Sequence, residues 1–532
     1  MVSSRGPRRW LVGILSGALG AVAVGAVPAS AASAAPAQPV KSNFLTEEWL
    51  AEADSHSLYS INKWAGVHDV WSKTDALGRK ITGEGVGVAL IDSGISPVKG
   101  LSGDDKVING PDLSLESQTD DLRYLDTYGH GTHMAGIIAG RDPEVLDGSE
   151  KDSRYFVGVA PGAHLVNMKV AAADGAVDVS QVIAAIDWVV AHRDDPGMNI
   201  RVINLSYGTD SLQDPRFDPL SHAVEAAWRK GIVVVVAAGN DGASASRLAM
   251  PAMNPNVIAV GGADPNGTDS RTDDVVGDFS SRGSEGRAPD LVAPGKSVVS
   301  LRDPGSFIDT EFPEGLLPTD SAQRFFRGSG TSQAAAVTSG AAALLLQQRP
   351  DLTPDQVKEL LVSTAQAMPA ADTVGSGAGQ LDVKAAVEAA TPQYQQNHEA
   401  SLGTGSLEQA RGTSHLTDPI TGVDLTGEQD IMGQPWNPTV WSQAALDGTS
   451  WNGGIWNGTA WTGTEFDGTS WASTTWTGTA WSGVDWTAHQ AAFTGRSWTG
   501  RSWTGGSWTG RSWTGRSWTG GVWAGKNWPT TD

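Results

Sequence analysis

Ile232-Val233-Val234-Val235-Val236-Ala237-Ala238 carries no polar side chain. A strand with no polar face has to be covered on both sides, which points to the interior of a parallel sheet between helical layers. Gly87-Val88-Ala89-Leu90-Ile91, Leu165 to Val170, Val202 to Ser206 and Val257 to Val260 are further short apolar runs of this type. Helical spacing fills the intervals. Val179, Val182, Ile183, Ile186, Val189 and Val190 repeat with that period behind a cap at Asp178 or Ser180, and Ala223 to Lys230 forms a helix ended by Gly231. Pro354 to Ser363 and Ala385 to Ala389 add two more helices. The alternation predicts an α/β fold with a mostly parallel central sheet and helices on both faces.

Sites in such sheets gather at the carboxyl ends of the strands. Asp92 stands there, in Asp92-Ser93-Gly94 after the first run. His130 lies in Gly129-His130-Gly131-Thr132-His133 and opens an apolar helix that runs to Gly140. Ser332 follows Gly328-Ser329-Gly330-Thr331 at the first turn of an Ala/Leu-rich helix that reaches Leu346. Free N–H groups and the helix dipole favour developing negative charge at that end. A serine there reads either as a helix cap or as a nucleophile. His133, three residues after His130, makes no metal site by itself, and no His-Glu-x-x-His pattern accompanies it.

Taken in order, Asp, His and Ser follow the arrangement of subtilisin-like serine peptidases. Ile91-Asp92-Ser93-Gly94-Ile95, Gly129-His130-Gly131-Thr132-His133 and Gly330-Thr331-Ser332 resemble that family's three signatures. Gly158-Val159-Ala160-Pro161, Ala237-Ala238-Gly239-Asn240, Phe279 to Gly283, Ala293-Pro294-Gly295 and Gly377-Ala378-Gly379 resemble its supporting motifs, so the similarity runs from about Leu58 to Ala390. The resemblance, to a secreted actinobacterial-type member, implies a serine endopeptidase. His130 takes the proton of Ser332 and returns it to the leaving amine, while Asp92 orients the imidazole. The Asn240 side chain and the Ser332 N–H form the oxyanion hole. Protein or peptide substrates bind extended between Ala173-Asp174-Gly175 and Ser206-Tyr207-Gly208, with Tyr207 shaping the S1/S4 region and Ala249 at the S1 floor. Two departures stand beside the nucleophile, where Gln333 and Ala336 replace the family's usual Met and Pro. Ala suits a helix better than Pro, so the helix is expected to persist. The chemistry needs no cofactor. Structural Ca2+ is common in the family and the chain is acidic, yet no ligand set matches residue by residue, and the metal ligands stay unknown.

Composition bounds the rest. With no cysteine, disulfide and thiolate chemistry are excluded, and a net charge of -22 argues against a nucleic-acid partner. Arg5, Arg8 and Arg9 precede an apolar stretch from Trp10 to Val27 and the small residues Ala29-Ser30-Ala31. This reads as a signal peptide over 1–31, giving a secreted protein without a stable membrane span after cleavage. Residues 32–57 form an N-terminal or short pro-segment, 58–391 the peptidase domain, and 392–434 a Gln/Gly/Thr-rich linker. Over 435–532 Trp436, Trp441, Trp451 and their successors recur every five residues, with one seven-residue step from Trp486 to Phe493. Five matches neither helix nor strand periodicity, leaving a solenoid of short strands or a disordered tract. Exposed indoles and the arginines that begin at Arg496 suggest binding to a cell-wall polymer or polysaccharide, hence wall association.

Overall fold

The computed structural model describes residues 49–460, apart from 104, 118–121, 269, 285, 369–371, 373, 418–422, 453–454 and 458. The expected signal peptide and the repeats from Trp461 onward lie outside these residues. In chain order come α1 (Leu58–Trp64), α2 (Val67–Val70), β1 (Gly87–Asp92), β2 (Val107–Asn109), α3 (His130–Ala139), β3 (His164–Lys169) and α4 (Val179–His192). Next are β4 (Ile200–Leu205), α5 (Pro219–Arg229), β5 (Val233–Ala237), β6 (Ile258–Asp264), β7 (Val275–Val276), β8 (Leu291–Pro294), β9 (Val298–Leu301) and α6 (Phe307–Glu311). The remainder is β10 (Phe325–Gly328), α7 (Thr331–Gln348), α8 (Pro354–Ser363), α9 (Val383–Glu388), α10 (Leu407–Arg411), α11 (Pro438–Asp447), β11 (Trp451–Asn452), β12 (Ile455–Trp456) and β13 (Thr459–Ala460).

The central sheet runs β2-β3-β1-β4-β5-β6, with β8 also pairing β6. These seven strands are mutually parallel, and only β7 is antiparallel. β5, the all-apolar strand, is buried along its whole length, as covering on both faces requires. α4 packs against α5 and α3 against α7, each pair meeting the sheet. The cap of α4 is Asp178, whose side chain accepts from Ser180 N at 3.0 Å while Gln181 Oε1 accepts from Asp178 N at 2.7 Å. α5 begins earlier than its apolar spacing indicates, because Asp218 caps it and Pro219 is preset for a first helical position.

The segment that composition marks as a linker is held down. Ser401 N donates to Glu225 at 3.1 Å, and Arg411, fully buried, pairs with Asp178 at 2.6 Å. Several of its few apolar residues are also seated in the core, where Leu407, Leu416, Leu425, Ile431 and Met432 are buried. In the first repeats, those within the described residues, one five-residue period takes two conformations. Trp441 and Leu446 lie on α11, which Asn437 caps and Pro438 starts, whereas Trp451 and Trp456 face each other across β11 and β12. Trp436, Trp441, Trp451 and Trp456 are buried, so these four indoles are not presented to a polymer. Trp441 Nε1 and Trp456 Nε1 both donate to Asp187 Oδ2 of α4 at 2.8 Å. Burial pushes the Asp187 carboxyl up to about 6, opposed by those N–H groups. Replacing either Trp441 or Trp456 by Phe is expected to cost about 1–3 kcal/mol, read by denaturant unfolding. The double variant should cost more than the two single changes added together, because either indole alone still serves the shared oxygen.

Candidate active site

β1 lies between β3 and β4 and ends on Asp92, so sheet register fixes where this carboxylate stands. Asp92 Oδ1 accepts from Ser93 N at 2.8 Å and lies 2.7 Å from His130 Nδ1. Both side chains are buried. The loop into α3 is held by Asp126, which accepts from Gly129 N and Thr132 N, each at 2.7 Å. Ser93 Oγ donates to Asp126 Oδ1 at 2.7 Å and accepts from Gly131 N at 2.9 Å. His130 thus stands at the first position of a helix whose start is tied to the residue after Asp92. The loops also touch directly: a Cβ on Gly131 would lie 2.1 Å from the Gly94 carbonyl oxygen. Gly94 itself holds a φ of 116°, so neither position accepts a side chain.

Ser332 is the second residue of α7 and is buried, and its carbonyl accepts from Ser206 Oγ at 3.4 Å just past the end of β4. β4 lies between β1 and β5, so the segments that carry Asp92, Ser332 and Asn240 meet at one sheet edge. Asn240 comes after β5 through Gly239, which has a φ of 111°. Its Oδ1 accepts from Thr331 N at 2.9 Å and from Thr331 Oγ1 at 3.1 Å. Thr331 N–H can only donate, so the amide oxygen faces the helix and the NH2 group points away. That NH2 is buried and has no hydrogen-bond partner among the described residues. An unmet donor at a helix N-terminus suits an oxygen that gains negative charge during a reaction.

Ala173 and Asp174 are half-buried and Gly175 buried, in a turn where Gly175 N donates to Ala172 O at 2.9 Å. Burial pushes the Asp174 carboxyl up to about 6. Ser206, Tyr207 and Gly208 are buried, Tyr207 completely, while Ala249 is half-buried with its N–H on Ala238 O at 3.0 Å. His133 points elsewhere: its Nε2 lies 3.1 Å from Phe326 O, and burial, then proximity to His130, lowers its pKa to about 3. Among the described residues, no group of three or more His, Cys, Asp or Glu side chains is arranged to hold a metal ion. Reading the sequence missed Asp126 and Thr331, the residues that brace His130 and Asn240. Asp126 sits three positions before the Gly129-His130-Gly131 signature, a spacing that suits capping of a helix start.

The match to known proteins settles the family. Residues 83–405 match the model of the subtilase family, peptidase S8. The chain belongs to the subtilase family. It is therefore a serine-type endopeptidase, a hydrolase of peptide bonds. It is 38% identical over 316 residues to serine protease AprX of Bacillus subtilis (strain 168), covering 58% of this chain and 68% of that protein. It is 33% identical over 319 residues to subtilisin DY of Bacillus licheniformis, covering 59% and 95% respectively. A cold adapted subtilisin-like serine proteinase of known crystal structure aligns with a TM-score of 0.42 at 28% identity, over 59% of this chain and 95% of that one.

Two features of the subtilase site lead to measurements. Gln333 is buried beside Ser332 with its Oε1 unmet among the described residues, and α7 runs unbroken past Ala336. Gln333→Met removes that buried carbonyl at similar volume and is expected to stabilise the fold by about 1–3 kcal/mol in denaturant titration. Asp303, which accepts from Ser96 Oγ at 2.8 Å, is pushed up to about 8 by burial and then by the charge of Asp126. Its folded pKa lies above the unfolded value, so folding is penalised as the carboxyl ionises, and stability from this group falls as pH rises from 4 to 8. Between pH 5 and pH 8 the melting temperature of Asp303→Asn should fall less than that of the wild type.

Proposed function

We propose that the chain is a secreted serine endopeptidase acting on extended protein substrates through Asp92, His130 and Ser332, with Asn240 and the Ser332 N–H as the oxyanion hole. The observation that carries this reading is the fixed Asn240 amide, its oxygen consumed by Thr331 and its NH2 unmet among the described residues. In the proposed reaction His130 Nε2 takes the Ser332 hydroxyl proton as Oγ attacks the scissile carbonyl, and Asp92 holds the imidazole by its Nδ1–H and stabilises the charged ring. The tetrahedral oxyanion then accepts from Asn240 Nδ2 and Ser332 N–H. His130 passes its proton to the leaving amine, and water releases the acyl group by the same steps in reverse. Export rests on the basic, apolar and small-residue order of residues 1–31, and no described helix is long and apolar enough to cross a membrane. The wall-polymer role is confined to the repeats from Trp461 onward, where composition alone supports it.

Casein or peptide hydrolysis tests the mechanism. Ser332→Ala should lower kcat by at least about 10⁴-fold. Asn240→Ala should lower kcat by about 10²–10³-fold with little change in KM, the magnitude found for the side-chain donor of subtilisin itself. Wild-type rates in Ser332→Ala would overturn the reading.

A further inference from the structure

The family match ends at residue 405, yet the chain continues across the peptidase surface in a directed way. Ala410 O accepts from Thr209 Oγ1 at 2.7 Å, three residues past Ser206. Arg411 Nε donates to Asp178 Oδ2 at 2.6 Å, three residues past Gly175. Thr413 N and Oγ1 donate to the two oxygens of Asp210, each at 2.7 Å. A Cβ on Gly412 would lie 2.1 Å from Asp210 Oδ1. Three of four consecutive residues, Ala410, Arg411 and Thr413, are thus tied to both sides of the channel proposed for substrate, one side ending in Asp178 and the other in Thr209 and Asp210. Further along the chain, Ile431 N donates to Ser180 Oγ on the Asp178 side at 2.9 Å.

The crossing is rigid. Arg411 and Asp178 are both fully buried, a costly arrangement unless every donor is met. Arg411 also donates to Gly427 O at 2.8 Å, Glu408 Oε2 at 3.1 Å and Gln429 O. The β4 edge ends at the same point, because Thr209 N and O are both spent on Met250, at 2.9 Å each. An extended peptide lying along Ser206, Tyr207 and Gly208 advances about 3.3 Å per residue. It therefore has length for about three residues before it meets the crossing.

We propose that residues 406–413, backed by 427–431, form the outer wall of the acyl-side cleft and that Arg411 is the positioning residue that holds this wall, so that substrate is read over about three residues before the scissile bond and no further. This rests on the substrate path of the proposed function. The test uses the full chain and fluorogenic peptides that share one cleaved bond and carry two, three, four or six acyl-side residues. Wild-type kcat/KM should rise to the third residue and then stay level within about twofold. Asp210→Ala removes only half-exposed contacts and Arg411→Ala opens the buried tie. Each should let kcat/KM climb about tenfold from three to six residues, with the three-residue peptide changed less than about threefold, while Arg411→Lys keeps part of the plateau. A steady rise through six residues in the wild type, or an unchanged plateau in folded Asp210→Ala, would overturn the wall. Ser332→Ala run on the three-residue peptide reports separately on the triad.

Discussion

A helix buried on every side fixes the rest of this structure. From Thr331 to Gln347 no residue of α7 reaches solvent, and small side chains let β4, β5, β6, β8 and α3 close around it. A Cβ on Gly340 would lie 2.6 Å from the Val159 side chain, so the fit leaves no slack there. Such a helix cannot leave its first N–H groups to water, and partners must come from the protein. Asn240 supplies one, accepting from Thr331 N. The same contact aims the amide NH2 outward beside Ser332. Satisfying the helix end and fixing the direction of the Asn240 amide are here a single structural act. At the other end Gln347 Oε1 accepts from three successive N–H groups, Thr82, Gly83 and Glu84, at 2.8, 2.6 and 3.0 Å, which locks the helix along its axis.

The second helix start solves the same problem with a different residue. Asp126 meets the first N–H groups of α3 and reaches Ser93, so the position of His130 relative to Asp92 is set by one carboxylate. That carboxylate lies near Asp303, and two buried acids cannot both ionise cheaply. Lys169, on β3, sets the local balance: its Nζ lies 3.0 Å from Glu116 and donates to Ser93 O at 2.9 Å. The loops that present Asp92 and His130 are therefore braced by charge as well as by packing.

What the sequence made legible was local and periodic. β5 announced itself by having no polar face, α4 by its spacing and its Asp178 cap, and the three signatures by glycines that adjoin a polar residue. What stayed hidden depends on partners far apart in the chain. Asp126 looks like any loop acid until Gly129 and Thr132 turn toward it. Tyr207 looked like a cleft side chain, but its complete burial depends on surroundings that no short window displays. Residues 392–434 read as a linker because scarce apolar residues usually mean a loose chain, and that inference fails when several of the few present, such as Leu407 and Ile431, are buried and directed polar contacts add to them. Within the described repeats the five-residue period does not fix one conformation, because it constrains structure only when every repeat has the same neighbours, and Trp441 and Trp456 reach one Asp187 from a helix and from a strand.

The manner of attachment decides what the C-terminal strap can do. Apolar contact alone tolerates sliding, because burial energy is nearly indifferent to direction. This strap is seated on four carboxylates of the peptidase, Asp178, Asp187, Asp210 and Glu225, each receiving a directed donor from Arg411, from two indoles, from Thr413 or from the Ser401 N–H. Shifting its register by one residue would break these contacts together and strand the buried Asp178 carboxylate without its cation. The strap therefore behaves as a fixed part of the peptidase rather than as a tether for the later repeats. On the proposed substrate path, an element fixed at Asp178, Thr209 and Asp210 would set the length of cleft open to a substrate, whatever the repeats from Trp461 onward do.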